Sequence, residues 1–257
     1  MTADPSPAEA AQQRSVIRVT GTDRDAFLQG LVTNDVRRLA QGAVYAALLG
    51  PQGKYLADFL MVPDGPSILI DVAQGLADGL LRRLNMYKLR AAVLLEPTDI
   101  QVQRGLGPLP DGAFADPRHP ALGWRAYRSL PGTASRTDWD AIRVAEVIPE
   151  TLIELIPDES YILECGFERL NGVDFRKGCY VGQEVTARMK HKTDLRKGLA
   201  QVAVSGAAAP GTLIVAEGKE VGRLLTRAGN LAIAYLRFDR AGAVMQAGAA
   251  TVRLVGQ

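Results

Sequence analysis

The chain has 257 residues, 47% of them hydrophobic and 23% charged, the balance of an ordinary globular protein with room for one large or two modest cores. Its 30 basic and 28 acidic side chains leave a net charge of +2, so there is no global signature of nucleic-acid binding. Two cysteines, Cys165 and Cys179, build neither a disulfide framework nor the four thiolates of an iron–sulfur cluster. The two histidines, His119 and His191, show no metal-ligand spacing, so no resident metal is expected.

Residues 1–14 are Ala/Pro/Gln-rich and are expected to form a flexible arm. They lack the apolar core of a secretion signal and the Arg-rich character of a transit peptide, and no apolar run reaches membrane-spanning length; a reducing, cytoplasmic setting is expected, with no membrane partner. Val16–Val19 alternates like a strand, and Thr22 or Asp23 then caps a helix whose apolar face is Phe27, Leu28, Leu31 and Val32. Val44–Leu49 and Tyr55–Val62 read as strands joined by the turn Gly50-Pro51-Gln52-Gly53, and Ser67–Val72 as a third. Leu76, Leu80, Leu81, Leu84 and Tyr87 follow helical spacing. Extended pieces at Ala92–Leu95 and Ile100–Gln103 precede an irregular Gly/Pro-rich stretch, Gly105–Pro120. Trp124–Ser129 is then a strand, and Trp139, Ile142, Arg143 and Glu146 belong to a helix begun at Ser135 or Thr137.

Strands interleaved with helices without βαβ regularity point to an α+β body. After Leu195, short strands at 199–204, 212–215, 221–226, 231–236 and 251–255, separated by glycine turns, predict a small β-barrel. The expected organisation is an arm (1–14), an α+β body in two lobes (15–194) and a barrel domain (195–257).

The most informative stretch is Lys177-Gly178-Cys179-Tyr180-Val181-Gly182-Gln183-Glu184. It reads as the opening of a short helix, where the helix N-terminus and neighbouring ammonium groups favour a thiolate, and the two glycines let a ligand approach the backbone. A buried structural cysteine is the alternative; the polar neighbours argue against it. Cys165 lacks such neighbours and reads as structural. From Arg169 to Lys197 the chain is locally basic, including Arg188, and fits a polyanionic tail or simply a solvated hinge. Asp58, on a strand among Leu56, Phe59 and Leu60, must face water, a partner or a ligand. Asn34-Asp35, just after the first helix, is either its C-terminal cap or a polar pair of a site.

The Lys177–Glu184 block resembles the K-G-C-Y-x-G-Q-E signature of the YgfZ-type folate-binding proteins, relatives of the glycine-cleavage T-protein (aminomethyltransferase) that assist iron–sulfur proteins. Phe27–Val36 resembles that family's first helix and loop, and Gly50–Phe59 its central hairpin, so the likeness runs over roughly residues 15–255. It implies a T-protein-like multi-lobed fold around a central channel for tetrahydrofolate, and a role in assembly or repair of iron–sulfur enzymes. Its partners would be iron–sulfur proteins or their assembly machinery, and it favours a monomer. Cys179 would be the functional thiol, with Lys177, Gly178, Tyr180, Gly182, Gln183 and Glu184 as its motif; Asn34, Asp58, Arg143 and Arg188 would contact folate. The T-protein's paired acids on the central strand appear here as Ala57-Asp58, and the acid after Arg143 falls at Ala145, with Glu146 one position later. A folate-dependent aminomethyltransferase is the alternative reading, and a thiol oxidoreductase a weaker third.

Overall fold

The computed structural model describes residues 8–192 and 195–255. The first half of the expected arm, the side chain of Lys192, Asp194 and the 194/195 boundary lie outside the described residues. The chain divides into two compact units, Met1–Thr137 with Glu168–Gln183, and Asp138–Phe167 with Glu184–Gln257.

In chain order the first unit contains β1 (Glu9–Ala10), β2 (Arg14–Thr20), α1 (Arg24–Gln29), a 3-10 turn (Val36–Gln41), β3 (Val44–Leu49) and β4 (Tyr55–Asp64). There follow β5 (Ser67–Ala73), α2 (Gln74–Lys88), β6 (Leu94–Thr98), β7 (Gln101–Gly105), β8 (Ala113–Ala115) and β9 (Trp124–Arg128). A 5-stranded antiparallel sheet has the order β3-β4-β5-β2-β6, and a 4-stranded sheet the order β1-β7-β9-β8. β3, β4 and β5 are buried almost throughout because both faces of the larger sheet are covered. One face carries Ile17, Val19, Ala46, Leu48, Ala57, Phe59, Met61 and Ile70, which pack with Leu28 of α1 and Leu80 and Leu84 of α2. The other carries Val16, Val62 and Leu69, which meet Val102, Phe114 and Tyr127 of the smaller sheet.

Between those two sheets runs a chain of buried charge. Asp71 accepts from Arg14 Nε at 2.6 Å, Arg125 at 2.9 Å and the Tyr127 hydroxyl at 3.1 Å. Arg125 also reaches Asp116 at 3.2 Å, and Asp116 is forked by Arg118 at 2.9 and 2.7 Å. Burial alone would push Asp116 up, but Arg118 and Arg125 outweigh it and hold the carboxyl down at about 2; Asp71 is likewise lowered against its burial by Arg14 and Arg125.

The described part of the expected arm, residues 8–14, is not loose. β1 pairs with β7, and the Glu9 carboxylate accepts from Ser135, from the Arg136 N–H and from both the N–H and the hydroxyl of Thr137. Those bonds occupy the residues expected to start the next helix. Asp138 caps it instead, accepting from the Ala141 N–H at 2.9 Å. β8 likewise lies inside the stretch expected to be irregular.

The second unit holds α3 (Trp139–Ala145), α4 (Gln183–Lys192) and strands β10 (Lys197–Ser205), β11 (Leu213–Ala216), β12 (Lys219–Ala228), β13 (Leu231–Arg237), β14 (Met245–Ala247) and β15 (Ala250–Leu254). These strands close a barrel in the order β10-β13-β12-β11-β14-β15. Its core is small and aliphatic, with Val202, Ile214, Leu224, Ala234, Leu236, Met245 and Val252 buried. The three-residue β14 went unseen in the sequence because Met-Gln-Ala is too short to show alternation, yet without it the barrel does not close.

Replacing Arg125 by Met removes the cation that Asp71 and Asp116 share and breaks the buried chain in the middle, leaving Asp71 with Arg14 and Asp116 with Arg118. The expected loss is about 3–5 kcal/mol, the usual cost of breaking a buried pair from one side, read from the urea midpoint at pH 7. The depressed carboxyl of Asp116 adds stability that is present above its ordinary 3.8 and is lost as pH falls through about 2. The native protein is therefore expected to resist acid to lower pH than Arg125→Met, as followed by circular dichroism.

Candidate functional site

The Lys177–Glu184 block folds by burying Lys177 and Tyr180. Lys177, only 5% exposed, inserts its ammonium beneath the end of α1, where Nζ donates to the carbonyls of Gln29 (2.8 Å), Val32 and Asn34 (2.9 Å). Three donors meet three acceptors at a helix C-terminus, where positive charge is favoured. Burial pulls this amine down to about 8, against the opposing pull of Asp35 and Asp174, so it is charged at neutral pH. The Lys177 Nζ also lies 5.3 Å from the ring centroid of the buried Tyr180. Gln183 closes the turn by accepting from the Tyr180 N–H at 3.2 Å while its own N–H donates to Tyr180 O.

Gly182 is required twice over. Its φ is +82°, and a Cβ there would lie 2.6 Å from the Gly50 carbonyl and 3.1 Å from Gly53 Cα, both backbone atoms of the β3–β4 turn. The turn expected from Gly50-Pro51-Gln52-Gly53 is thus the surface that the motif leans on. Gly178 is different: a Cβ would meet nothing within 4 Å. Held at Lys177 and Tyr180, the loop leaves Gly178 and Cys179 exposed, with Cys179 a free thiol. The helix expected to open at the thiol begins only at Gln183, about one turn further on. Glu184 sits in the first turn of α4, where its charge complements the helix. Lys177 faces carbonyls inside the fold and so does not contribute to the basic surface expected around it. Cys165 is buried, its Sγ 3.9 Å from Glu154 O.

The loop between α1 and the 3-10 turn is knit by Thr33 and Asn34. Thr33 Oγ1 donates to Gly172 O at 2.7 Å and accepts from the Ala47 N–H. Both amide hydrogens of Asn34 are taken, by Tyr45 O at 2.8 Å and Asn171 O at 2.6 Å, and its oxygen accepts from the Asp35 N–H. Asn34 keeps one acceptor lone pair for a ligand. Asp35 is not a C-terminal cap of α1, whose C-cap is Gly30; it caps the start of the 3-10 turn, accepting from the Arg37 N–H.

Asp58 is 5% exposed and faces neither water nor an open surface. It accepts from the Tyr45 hydroxyl at 3.0 Å and from the Tyr55 hydroxyl at 2.7 Å. Tyr45 reaches it diagonally across the β3–β4 pair, in which Ala47 stands opposite Asp58. Tyr55 reaches it because a register shift beside Leu49 turns that residue onto the same face of the sheet. Burial and the Asp58 charge push the Tyr45 phenol well above its ordinary range, so it stays a donor. Arg118, the end of the buried charge chain, lies 5.6 Å over the Tyr45 ring. Neither tyrosine was singled out in the sequence; Tyr45 is a diagonal neighbour of Asp58 in the predicted hairpin, but the bulge that recruits Tyr55 leaves no sequence signature. Asn34 and Tyr45 line a cavity of about 440 Å³, with Arg38, Gln41, Phe114 and Asn171 also on its wall.

In the second unit Arg143 is buried and fully engaged. It donates to Ile148 O (3.0 Å), Glu154 (3.1 Å), Asp140 (2.8 Å) and Thr226 Oγ1 (3.2 Å), tying α3 to β12. Glu154, which sequence reasoning passed over, also binds the N–H and hydroxyl of Thr226 and the Glu150 N–H. Arg188 is exposed on α4. Among the described residues no three His, Cys, Asp or Glu side chains converge as a metal site.

A family model described as the CAF17 C-terminal β-barrel domain matches residues 196–256, the barrel just described. The mitochondrial iron–sulfur cluster assembly factor IBA57 of Mus musculus is 30% identical over 272 residues, covering 88% of this chain and 76% of the relative. The chain belongs to the IBA57 family. The Homo sapiens IBA57 is also 30% identical, over 87% of this chain and 75% of its own length, and a Mycosarcoma maydis homologue is 33% identical over 72% and 54%. The fold of this chain is that of the T-protein: the glycine-cleavage aminomethyltransferase T of Bartonella henselae superposes with a TM-score of 0.76 at 12% identity, covering 98% of this chain and 86% of that one. The YgfZ-type resemblance is to the bacterial counterpart of IBA57. The expected cytoplasmic setting is overturned by the names of these relatives, which are mitochondrial factors. Unpaired cysteines report a reducing compartment, and that chemistry does not distinguish one reducing compartment from another. No described helix is long and apolar enough to cross a membrane.

Two measurements test the Lys177 anchor. Its side-chain carbon resonances are expected to titrate with a midpoint near 8, against 10.5 for an ordinary lysine; a midpoint above 10 contradicts the burial. As the unfolded chain holds its proton between about 8 and 10.5, this residue favours folding more as pH rises through that window. Lys177→Met, which orphans three carbonyls, is expected to cost roughly 2–4 kcal/mol in urea unfolding.

Proposed function

We propose that this chain acts in iron–sulfur cluster assembly and that Cys179 is its working thiol. The observation that carries the reading is the arrangement of the motif: four buried or packed positions, Lys177, Tyr180, Gly182 and Gln183, hold one free thiol at the surface. An exposed cysteine costs a protein reactivity it has no packing reason to keep, and a thiolate is a ligand for iron and a nucleophile. The names of the IBA57 relatives support the assembly role. The cluster is cargo here, and its partners are the proteins that deliver or receive it. Cys179 would meet it by donating a thiolate, its bare neighbour Gly178 leaving room for a docked surface.

Tetrahydrofolate is the ligand that the T-protein fold implies, and it would supply a nitrogen-rich ring able to carry a one-carbon unit. The first unit's residues fit such a ring in part. The cavity beside Asn34 and Tyr45, about 440 Å³, is within the usual size for small-molecule sites. Asn34 offers one acceptor, and Arg38 and Gln41 line the wall as donors. Asp58 would act through Tyr45, whose hydroxyl it orients. Arg143 has its donors committed within its own unit, to Ile148, Glu154, Asp140 and Thr226. An aminomethyltransferase activity rests on a likeness that carries fold alone, and Ala57 takes the place of the second strand acid.

Cys179→Ser is expected to leave unfolding stability within about 0.5 kcal/mol, as an exposed change should, and to abolish maturation of a [4Fe–4S] enzyme in cells lacking the native factor. Full enzyme activity with the variant rejects Cys179 as the working thiol. Calorimetric titration with tetrahydrofolate is expected to give saturable heat that Asp58→Ala weakens; no heat with the native protein removes the folate assignment and leaves the thiol reading standing.

A further inference from the structure

The C-terminal half of α2 presents a surface that neither the thiol nor the cavity uses. Leu80 and Leu84 bury one side of this helix against the larger sheet. On the outer side Met86 is 74% exposed and Leu89 87%, with Arg82, Arg83 and Arg90 exposed around them. From Gly79 to Leu95 the chain carries four cations, Arg82, Arg83, Lys88 and Arg90, and no acid. None of the four forms an ion pair with a described residue.

Leu89 makes the patch more than a chance exposure. It ends the helix with φ +44°, backbone that favours glycine, and points an aliphatic side chain into water. A glycine there would remove both the backbone strain and the exposed surface. The residues that follow are fixed: the Ala92 N–H donates to Asp23 Oδ2 at 2.8 Å, the Ala91 N–H to Lys88 O, and Gly21 packs against the Ala92 carbonyl. The leucine is therefore held out on a rigid helix end, and rigid presentation lowers the cost of docking. Methionine beside it supplies a soft, adaptable contact.

We propose that this face of α2 docks an acidic partner protein, seating an apolar side chain of the partner over Met86 and Leu89 while its carboxylates pair with Arg82, Arg83 and Arg90. Charge complementarity selects the partner's sign and speeds encounter, and the two apolar residues supply the desolvated centre. A membrane surface is the poorer occupant, because the exposed face carries no aromatic residue and only two neighbouring apolar ones. The proposal is independent of the folate and thiol readings.

The test uses the full chain and two fluorescent amphipathic peptides, one with Leu on one face and Glu on the other, and its Gln-for-Glu counterpart. Anisotropy is expected to show the acidic peptide binding at least about tenfold more tightly than the Gln peptide, with an affinity that falls as salt rises. Arg82→Glu with Arg83→Glu, and separately Leu89→Gly, are each expected to weaken it about tenfold. Leu89→Gly relieves the strained backbone, so a higher melting temperature with lost binding separates docking from folding. Absent binding, equal binding of the two peptides, or binding indifferent to both variants overturns the proposal. So does Leu89-dependent binding to phosphatidylserine vesicles without peptide binding, which assigns the face to membrane.

Discussion

An ammonium group held by three backbone carbonyls fixes the geometry around the candidate thiol. The last turn of α1 and the loop after it leave the carbonyls of Gln29, Val32 and Asn34 pointing inward, and the Lys177 Nζ satisfies all three. Without that cation the end of a short helix would be buried with unpaired acceptors, which costs more than the net gain from an average hydrogen bond. One side chain therefore serves two ends: it completes α1 and sets the depth at which the following residues run. Tyr180 and Gly182 then pin the far side of the loop, the first beside Lys177 and the second against the Gly50–Gly53 turn. Cys179 is exposed, with Gly178, between a buried Lys177 and a buried Tyr180.

The same unit stores a second set of polar groups between its two sheets. Arg14, Asp71, Arg125, Asp116 and Arg118 alternate in sign, so each charge is compensated locally, and the depressed carboxyls report that compensation. The series ends on the face of Tyr45, which donates to Asp58. A carboxylate alone among Leu60, Val62 and Leu69 would be costly. Two tyrosine hydroxyls make it tolerable and hold it on the sheet face next to the cavity wall formed by Tyr45 and Asn34. Packing and site chemistry share these residues.

Much of this was legible in the sequence because it is local. The hairpin around Gly50–Gly53, the helix carrying Leu80 and Leu84, and five of the barrel strands follow from periodicity and turn residues, and the Lys177–Glu184 block marks the thiol. What the sequence hid is long-range or irregular. Lys177 reads as one more cation in a basic run, and only the carbonyls of residues far behind it in the chain reveal its burial. Glu9 looks like part of a polar arm until four donors of residues 135–137 collect on it. Asp58 reads as an acid that must face water, a partner or a ligand, since a bulge that turns Tyr55 toward it has no local signature. The compartment was misread for a related reason: thiol content reports redox state and not address.

The display of one thiol by a buried anchor is tested most directly by native-state alkylation with mass mapping of both cysteines. Cys179 is expected to react within the dead time set by the reagent, and Cys165 only as the protein unfolds. Equal protection of the two, or preferential labelling of Cys165, would contradict the account.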